Sequence, residues 1–201
     1  MPRQFMFTRE DIIAAALALT REGGAGAVTA RALGQRLGTS SKPVFGLFRN
    51  MEEVQQGVLI AADALYRRYL ETDMAAGKYP PYKASGMAYI RFAREERELF
   101  KLLFMRDRSR EKAPPEDSED APIIALIQKN TGMSRETARL FHLEMWIYVH
   151  GIATMTATAY LDFDEASVSG MLTDAYMSLK QRFLADGSAL EAALTPQEDE
   201  E

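Results

Sequence analysis

Basic and hydroxyl side chains are concentrated between residues 29 and 49, and such side chains suit a polyanion. Arginine and lysine carry the positive charge that phosphate groups attract, and serine and threonine hydroxyls donate hydrogen bonds to phosphate oxygens. Contact with a nucleic acid is therefore the chemistry that the segment favours. The candidate contact residues are Thr29, Arg31, Ser40, Ser41, Lys42, Pro43, Phe45 and Arg49.

A second candidate set is the stripe of His142, Trp146 and His150, whose four-residue spacing places them on one side of a helix. The two histidines are eight residues apart, which is roughly 12 Å of helical rise, so they cannot both bind one metal ion directly. The chain has no other histidine and no cysteine. We therefore expect no metal, no cofactor and no disulfide. The stripe is either a core histidine beside a tryptophan or a contact to a ligand.

Charge is unevenly distributed along the chain. The net charge is -5, yet residues 1–50 carry seven basic and three acidic side chains, so that segment is +4 and the remainder is -9. A basic head (residues 1–50) on an acidic body suggests that the head meets a polyanion; an ordinary solvated surface is the alternative. No apolar stretch reaches the ~18 residues of a membrane span, and no signal sequence is visible, so a cytoplasmic protein without a membrane partner is expected.

Helices are the elements expected to position these residues, because apolar side chains recur at three- and four-residue spacing almost throughout. The expected fold class is all-α. The head is expected to hold three short helices that start near Thr8, Thr29, and Ser40 or Ser41. A long connecting helix is expected at 51–73. The body, residues 74–186, is expected to hold helices at about 82–95, 97–106, 120–129, 134–160 and 164–184.

Two segments are expected to lack regular structure. Residues 106–122 contain two apolar residues besides their prolines, too few to bury a core, which predicts a mobile loop. Residues 187–201 form an acidic tail that is expected to fray. Between the last two helices, Asp162-Phe-Asp-Glu165 is expected to supply an N-cap and a capping box.

The most specific pattern lies in residues 29–48. A short helix, a turn at Gly38 and a second short helix form a helix-turn-helix, whose second helix can lie in the major groove of DNA. The apolar residues Leu33, Leu37, Val44 and Phe48 are expected to pack the two helices together. A plain three-helix bundle without DNA binding is the alternative.

Three runs resemble the DNA-binding domain of TetR-type transcriptional regulators: Phe7-Thr-Arg-Glu-Asp-Ile-Ile-Ala-Ala-Ala-Leu17, Thr29-Ala-Arg-Ala-Leu-Gly34 and Leu37-Gly-Thr-Ser-Ser-Lys-Pro-Val-Phe-Gly-Leu-Phe48. The resemblance covers about the first 55–60 residues. It implies an all-helical homodimer that binds a pseudo-palindromic operator. It further implies a repressor whose body binds a small effector and then releases DNA.

Three positions depart from that family. Phe45, Leu47 and Met51 stand where the family usually has tyrosine, histidine or tyrosine, and lysine, which commonly reach DNA phosphates. Each change removes a hydrogen bond or a charge from the expected interface. A helical ligand-binding or interaction module without strong DNA binding is therefore the alternative function. An enzyme is not expected, because no nucleophile elbow, phosphate-binding glycine loop or paired metal-ligand spacing is present.

The body carries a weaker resemblance. The run Trp146-Ile-Tyr-Val-His-Gly151 resembles the Trp…His-Gly element of one class of TetR-type C-terminal domains, and the run from Phe92 to Phe104 fits that class. We expect an effector site inside the body that takes an apolar or amphipathic molecule. Its candidate lining residues are Phe92, Phe100, Phe104, Trp146 and His150.

The last two helices have more apolar positions than each needs against its own core. We expect a homodimer in which these two helices of each subunit form a four-helix contact. The apolar residues considered for this role are Leu140, Ile147, Val168, Leu172, Tyr176, Leu179 and Phe183.

Overall fold

The computed structural model describes residues 7–109 and 121–185. The regular structure in these ranges is helical, which confirms the all-α fold class. The helices are α1 (Arg9–Gly23), α2 (Ala30–Arg36), α3 (Lys42–Leu47), α4 (Met51–Ala75), α5 (Pro81–Glu95), α6 (Arg97–Phe104), α7 (Ala121–Thr131), α8 (Arg135–Ala157) and α9 (Glu165–Ala185), with a 3-10 turn at Ala25–Ala27. The expected acidic tail at 187–201, and residues 110–120 of the expected mobile loop, lie outside the described residues.

Side-chain caps fix the starts of three helices. The Thr8 hydroxyl accepts from the Asp11 N–H at 3.1 Å and the Asp11 carboxylate accepts from the Thr8 N–H at 2.8 Å, which together form a capping box at the expected start of α1. Thr29 caps α2 by accepting from the Ala32 N–H at 3.1 Å. Asn50 caps α4 in the same way.

The start of α3 differs from the expectation. Ser41 occupies the N-cap position but its side chain makes no capping bond. Its backbone is already helical (φ -72°, ψ -9°), so its hydroxyl is not directed at the next N–H groups. The nearby Ser40 hydroxyl accepts from the Lys42 N–H at 3.4 Å instead, a long bond.

Two glycines shape the turn between α2 and α3. Gly38 has φ +67°, a left-handed conformation that glycine adopts without a steric penalty. At Gly34 a Cβ atom would lie 2.8 Å from the Ser40 carbonyl carbon, so only glycine lets the turn pack this closely on α2. Below this turn, the head buries Ile12, Leu33 and Val44 completely, which fixes α3 against α1 and α2.

The body is built around α5, which packs against α4, α6, α7, α8 and α9. Tyr82 forms a 3.0 Å hydrogen bond with His142 Nδ1, and Tyr89 forms a 2.8 Å hydrogen bond with His150 Nδ1. Residue numbers rise together in these two pairs, so α5 and α8 run in the same direction. A second apolar cluster, centred on Phe141, joins α7, α8 and α9.

Two helices connect the head to the body. The first turns of α4 bury Val54 and Val58 in the head, and Ala62 near the middle of the helix is buried in the body. The second connection is α6, which packs on α1 through the partly buried Leu102. A bidentate ion pair joins Arg21 of α1 to Glu96, with both N–O distances at 2.7 Å.

Several expected element boundaries are corrected. The long α8 ends at Ala157 rather than near residue 160, because the chain leaves the helix through Ala159 at φ +56°. Asp164 caps α9 by accepting from the Ser167 N–H at 2.7 Å. The expected capping box is wrong, since the Glu165 carboxylate accepts from the Lys78 ammonium at 2.6 Å instead.

The described ranges contain no helix with the length and apolarity that a membrane span requires.

Candidate nucleic-acid interface

The outer side of α3 is the surface on which the candidate contacts gather. Val44 is fully buried and Phe48 nearly so, and they direct the opposite side of the helix to solvent. That exposed side presents Lys42 and Phe45, and Ser40 is exposed in the preceding turn. Ser41 and Pro43 are half-buried at the start of the helix. The structure therefore places Ser40, Lys42 and Phe45 on the exposed side of α3 and of the turn before it.

Arg31 and Lys42 are exposed, and neither forms an ion pair within the part of the chain that the structure describes. Other arginines of the head are paired: Arg36 binds Glu22 at 2.7 and 2.8 Å, and Arg21 binds Glu96. A cation without an internal partner can neutralise a phosphate at no cost in broken ion pairs. Arg31 and Lys42 thus have the charge and the exposure that the predicted role requires.

Two other candidates, Thr29 and Arg49, have a structural partner as well. The Thr29 hydroxyl caps α2, which uses its oxygen as an acceptor and leaves its hydrogen to donate. The Arg49 side chain is 89% exposed and its Nε lies 3.4 Å from the Glu53 carboxylate. Leu47 and Met51 are half-buried and pack on the apolar cluster of the head, so neither replaces the polar contact that the family has there.

A cluster around Glu53 fastens the C-terminal end of α3. One Glu53 oxygen accepts from Arg9 Nη2 at 2.8 Å, and the other accepts from the Arg49 backbone N–H at 2.7 Å. The Arg9 guanidinium lies over the Phe48 ring, 4.0 Å from its centroid, and also donates to the Leu47 carbonyl. We call Arg9, Leu47, Phe48, Arg49 and Glu53 the Glu53 clamp. It ties α3 to α1 and α4 at once.

The Glu53 clamp is absent from the sequence prediction. Arg9 and Glu53 are 44 residues apart, and no periodicity or cap connects them. The only local signal is that Asn50 places Glu53 at the third position of α4, where a capping box would point its carboxylate back toward the helix start. Instead, the Glu53 carboxylate reaches the N–H of Arg49, the residue before the cap.

The candidate effector residues form part of one aromatic cluster in the body. Phe92 and Phe100 are fully buried, and Phe104 and His150 are partly exposed. Ring centroids of Phe100 lie 5.2 Å from Phe104 and 6.0 Å from His150. Trp146 stacks on His150 at 4.9 Å with the ring planes 16° apart.

Trp146 differs from the expected interior position, because its side chain is 43% exposed. Its companions lie deeper: Tyr66 and Tyr89, which the sequence prediction missed, fill the centre of the cluster, with Tyr89 4.9 Å from Phe104. Burial lowers the pKa of His150 and raises the pKa of Tyr89, which keeps both groups neutral near pH 7. A neutral aromatic interior suits an apolar guest better than an ionic one.

Residues 82–176 match the family model described as the C-terminal domain of Tetracyclin repressor-like proteins. The match falls in the body, while the resemblance stated from sequence lies in the head, so the two cover different parts of the chain. This part of the chain therefore resembles the C-terminal body of a TetR-type regulator. No curated protein sequence matches it at a significant level. The finer assignment of this TetR-type body to the Trp…His-Gly class stays a prediction.

Most residues of α8 and α9 that were expected to join two subunits do not lie on the exposed surface of these helices. Val168, Leu172 and Phe183 are buried within their own chain, so they are wrong as surface residues. The half-buried residues of the expected set, Leu140, Tyr176 and Leu179, pack on the Phe141 cluster. Only Ile147 of that set is largely exposed.

A different stripe of these helices is exposed. Leu143, Trp146 and Ile147 occupy positions i, i+3 and i+4 on α8, which is one helix side. Met177 and Leu184, seven residues apart, form a matching stripe on α9. We call these five residues the α8–α9 apolar stripe. Four large apolar side chains and a tryptophan in solvent form a surface that a partner would cover.

The Glu53 clamp predicts a specific acid sensitivity. The Arg49 N–H and the Arg9 guanidinium lower the pKa of Glu53 to about 2 from its ordinary 4.5. A carboxyl whose pKa is depressed in the folded state stabilises the fold above about pH 4.5, and this contribution is lost as pH falls toward about 2. We expect the free energy of unfolding of the Glu53→Gln variant to fall less steeply with falling pH across that interval. The slope should correspond to up to about one proton fewer bound on unfolding than in the wild type.

Urea unfolding between pH 2 and pH 6 measures this difference. Glu52→Gln is the matched control, because Glu52 is exposed and forms no ion pair within the described ranges. Parallel pH profiles for the wild type and Glu53→Gln would contradict the assigned role of the clamp.

Proposed function

We propose that this TetR-type chain is a homodimeric DNA-binding transcriptional repressor that a small molecule releases from its operator. The observation that carries the proposal is the outer face of α3, where an exposed cation and an exposed aromatic ring project from a rigidly held helix. DNA binding and dimerisation are general properties of the family. One α3 helix per subunit would enter successive major grooves on one side of a pseudo-palindromic operator.

A helical interaction module without strong DNA binding is the second candidate. It is favoured by Leu47 and Met51, which are half-buried in the head where the family has polar groups. The remaining phosphate contacts would then have to come from few residues, which lowers affinity. The two candidates differ in whether the purified protein selects a defined sequence from random DNA.

The DNA contacts assigned to Arg31 and Lys42 can be tested with a double alanine variant. Each phosphate contact releases counterions from DNA when it forms. Loss of a contact should therefore lower the affinity and flatten the slope of log K against log salt by about one. Arg68→Ala with Lys129→Ala is the control, because it changes the net charge equally at exposed positions in other helices. Electrophoretic or fluorescence-anisotropy titrations at several salt concentrations give both quantities. Undiminished binding by the Arg31→Ala, Lys42→Ala variant would remove these assignments.

The homodimer is proposed to form through the α8–α9 apolar stripe. Ile147 and Met177 are each 58% exposed, and a second copy of the chain would cover them in a two-fold four-helix contact. Val168 and Leu172 are buried in their own chain, so the apolar residues left for a subunit contact are those of the exposed stripe.

We expect mass measurement at micromolar concentration to give twice the 22.5 kDa of one chain. Ile147→Glu or Met177→Glu buries a charge in the interface and should shift the mass toward one chain. Ile60→Glu is the control, since Ile60 is 63% exposed on α4. A wild-type monomer that still binds a palindrome would refute this interface.

The effector is proposed to enter the aromatic cluster of the body and to act on the spacing of the two α3 helices. The supporting observation is that α4 and α6 each pack on both the head and the body. Phe100 and Phe104 of α6 line the cluster, while Leu102 of the same helix contacts the head. A ligand that binds more tightly to a state with a tilted α4 would favour that state. One α3 helix would then be displaced from its half-site.

Trp146 is the only tryptophan and stacks on His150, so its fluorescence reports on the cluster directly. Titration with neutral aromatic and amphipathic molecules should change its emission in step with loss of DNA binding. Trp146→Phe supplies the fluorescence blank, because that variant contains no tryptophan. Release by a molecule whose contacts all map outside the body would overturn the placement.

A further inference from the structure

The most unusual side chain on the outer face of α3 is Phe45. It is 52% exposed, whereas its neighbours Val44 and Phe48 are buried in the head. Its ring contacts no other aromatic ring in the described ranges and does not join the apolar cluster that holds the helix. Phe45 therefore lies outside the apolar cluster of the head, and about half of its surface is open to solvent in the part of the chain that the structure describes.

The surroundings of Phe45 leave its ring accessible to a groove. Lys42 is exposed three residues earlier, on the same side of the helix, and Gly46 is exposed with no side chain to shield the ring. The centre of the face is thus an apolar ring beside one cation. A phenyl ring has no donor and no acceptor, so it cannot hydrogen-bond a phosphate or the polar edge of a base.

One chemical feature of the major groove matches such a ring. Among the four base pairs, only those with thymine present an apolar group there, the 5-methyl group at C5. Insertion of a ring between stacked bases is the other use of apolar side chains on DNA, but it occurs from the minor groove. A helix-turn-helix places its second helix in the major groove.

We propose that Phe45 is a specificity-determining residue that recognises DNA by packing on a thymine methyl group in each half-site. This inference rests on the proposed DNA-binding function and adds the chemistry of its readout. A hydroxyl at this position would contact a phosphate, which every DNA sequence has. The Phe45 ring instead contacts a methyl group that only thymine carries. Lys42 supplies the adjoining charge that holds the ring against the groove.

Deoxyuridine tests the methyl group alone, because it differs from thymine only in lacking that group. Duplexes selected by the purified full-length protein from random sequence are resynthesised with deoxyuridine in place of thymine, one symmetry-related pair at a time. Burial of one methyl group corresponds to about four-fold in affinity. For at least one pair we therefore expect wild-type binding to weaken by roughly fifteen-fold, as two methyl groups are lost.

A double-mutant cycle assigns the loss to Phe45. The Phe45→Ala variant should bind the thymine duplex more weakly than the wild type and should not distinguish it from the deoxyuridine duplex. Ile60→Ala, which removes a similarly exposed apolar side chain from α4, should keep the full wild-type discrimination. Circular dichroism checks that each variant is folded, and the exposure of both side chains makes unfolding an unexpected result.

Phe45→Tyr separates the methyl contact from a phosphate contact. If the ring lay against the backbone, the added hydroxyl would tighten binding to both duplexes equally, and the wild type would show no discrimination. That result overturns the inference, as does deoxyuridine discrimination that persists in Phe45→Ala. Wild-type affinity that is equal within two-fold for every replacement also overturns it while the proposed function stands. If no sequence is selected at any salt concentration, the proposed function fails and the readout fails with it.

Discussion

A helix of six residues cannot hold its own conformation, so the use of α3 depends on what anchors it. An isolated helix this short is unstable, because the cost of its first turn is not recovered by later hydrogen bonds. Val44 and Phe48 bury its inner side, and the Glu53 clamp fixes the Leu47 carbonyl at its end and the Arg49 N–H two residues later. The anchoring groups belong to α1 and α4, so the orientation of α3 is set by the rest of the head and not by its own sequence.

The same anchoring connects the interface to the body. Glu53 lies in the first turn of α4, and that helix continues without a break to Ala75; on the way, its Tyr66 packs in the aromatic cluster. The pair of Arg21 and Glu96 adds a second connection, from α1 to the start of α6. A displacement of α4 or α6 therefore moves the base on which α3 is fixed. A change in the body can reach α3 through packed helices, with no flexible linker in the path.

The sequence predicted most where the interactions are local. The caps at Thr8, Thr29 and Asn50 span three residues each, and the turn around Gly38 is set by backbone conformation, so both can be identified from a short run. The same holds for the exposed side of α3, because burial of Val44 fixes which residues face outward. Lys42 was singled out for its charge within the helix-turn-helix, and Phe45 through the resemblance to the TetR-type family.

Longer-range packing was beyond such patterns. Apolar residues occur on more than one side of α8, and spacing alone does not say which stripe faces the chain's own core; Met145 and Val149 do, and Trp146 and Ile147 do not. The clamp between Arg9 and Glu53 joins residues 44 positions apart that carry no common pattern. A residue that fits a helical pattern and also contacts a residue far away in sequence can be assigned only from the packed arrangement of the helices.

Charge and apolar exposure divide the molecule into two surfaces with different partners. The head carries the net positive charge and one exposed ring on α3, while the remainder is strongly negative and exposes its apolar stripe on α8 and α9. In the proposed complex, repulsion between DNA and the acidic remainder would keep that stripe away from the duplex, since like charges oppose approach. The positively charged head would be attracted to DNA over the same range of distances. In the proposed complex this field would orient the protein before contact, so the head would approach DNA first and the proposed contact of Phe45 with the groove would follow.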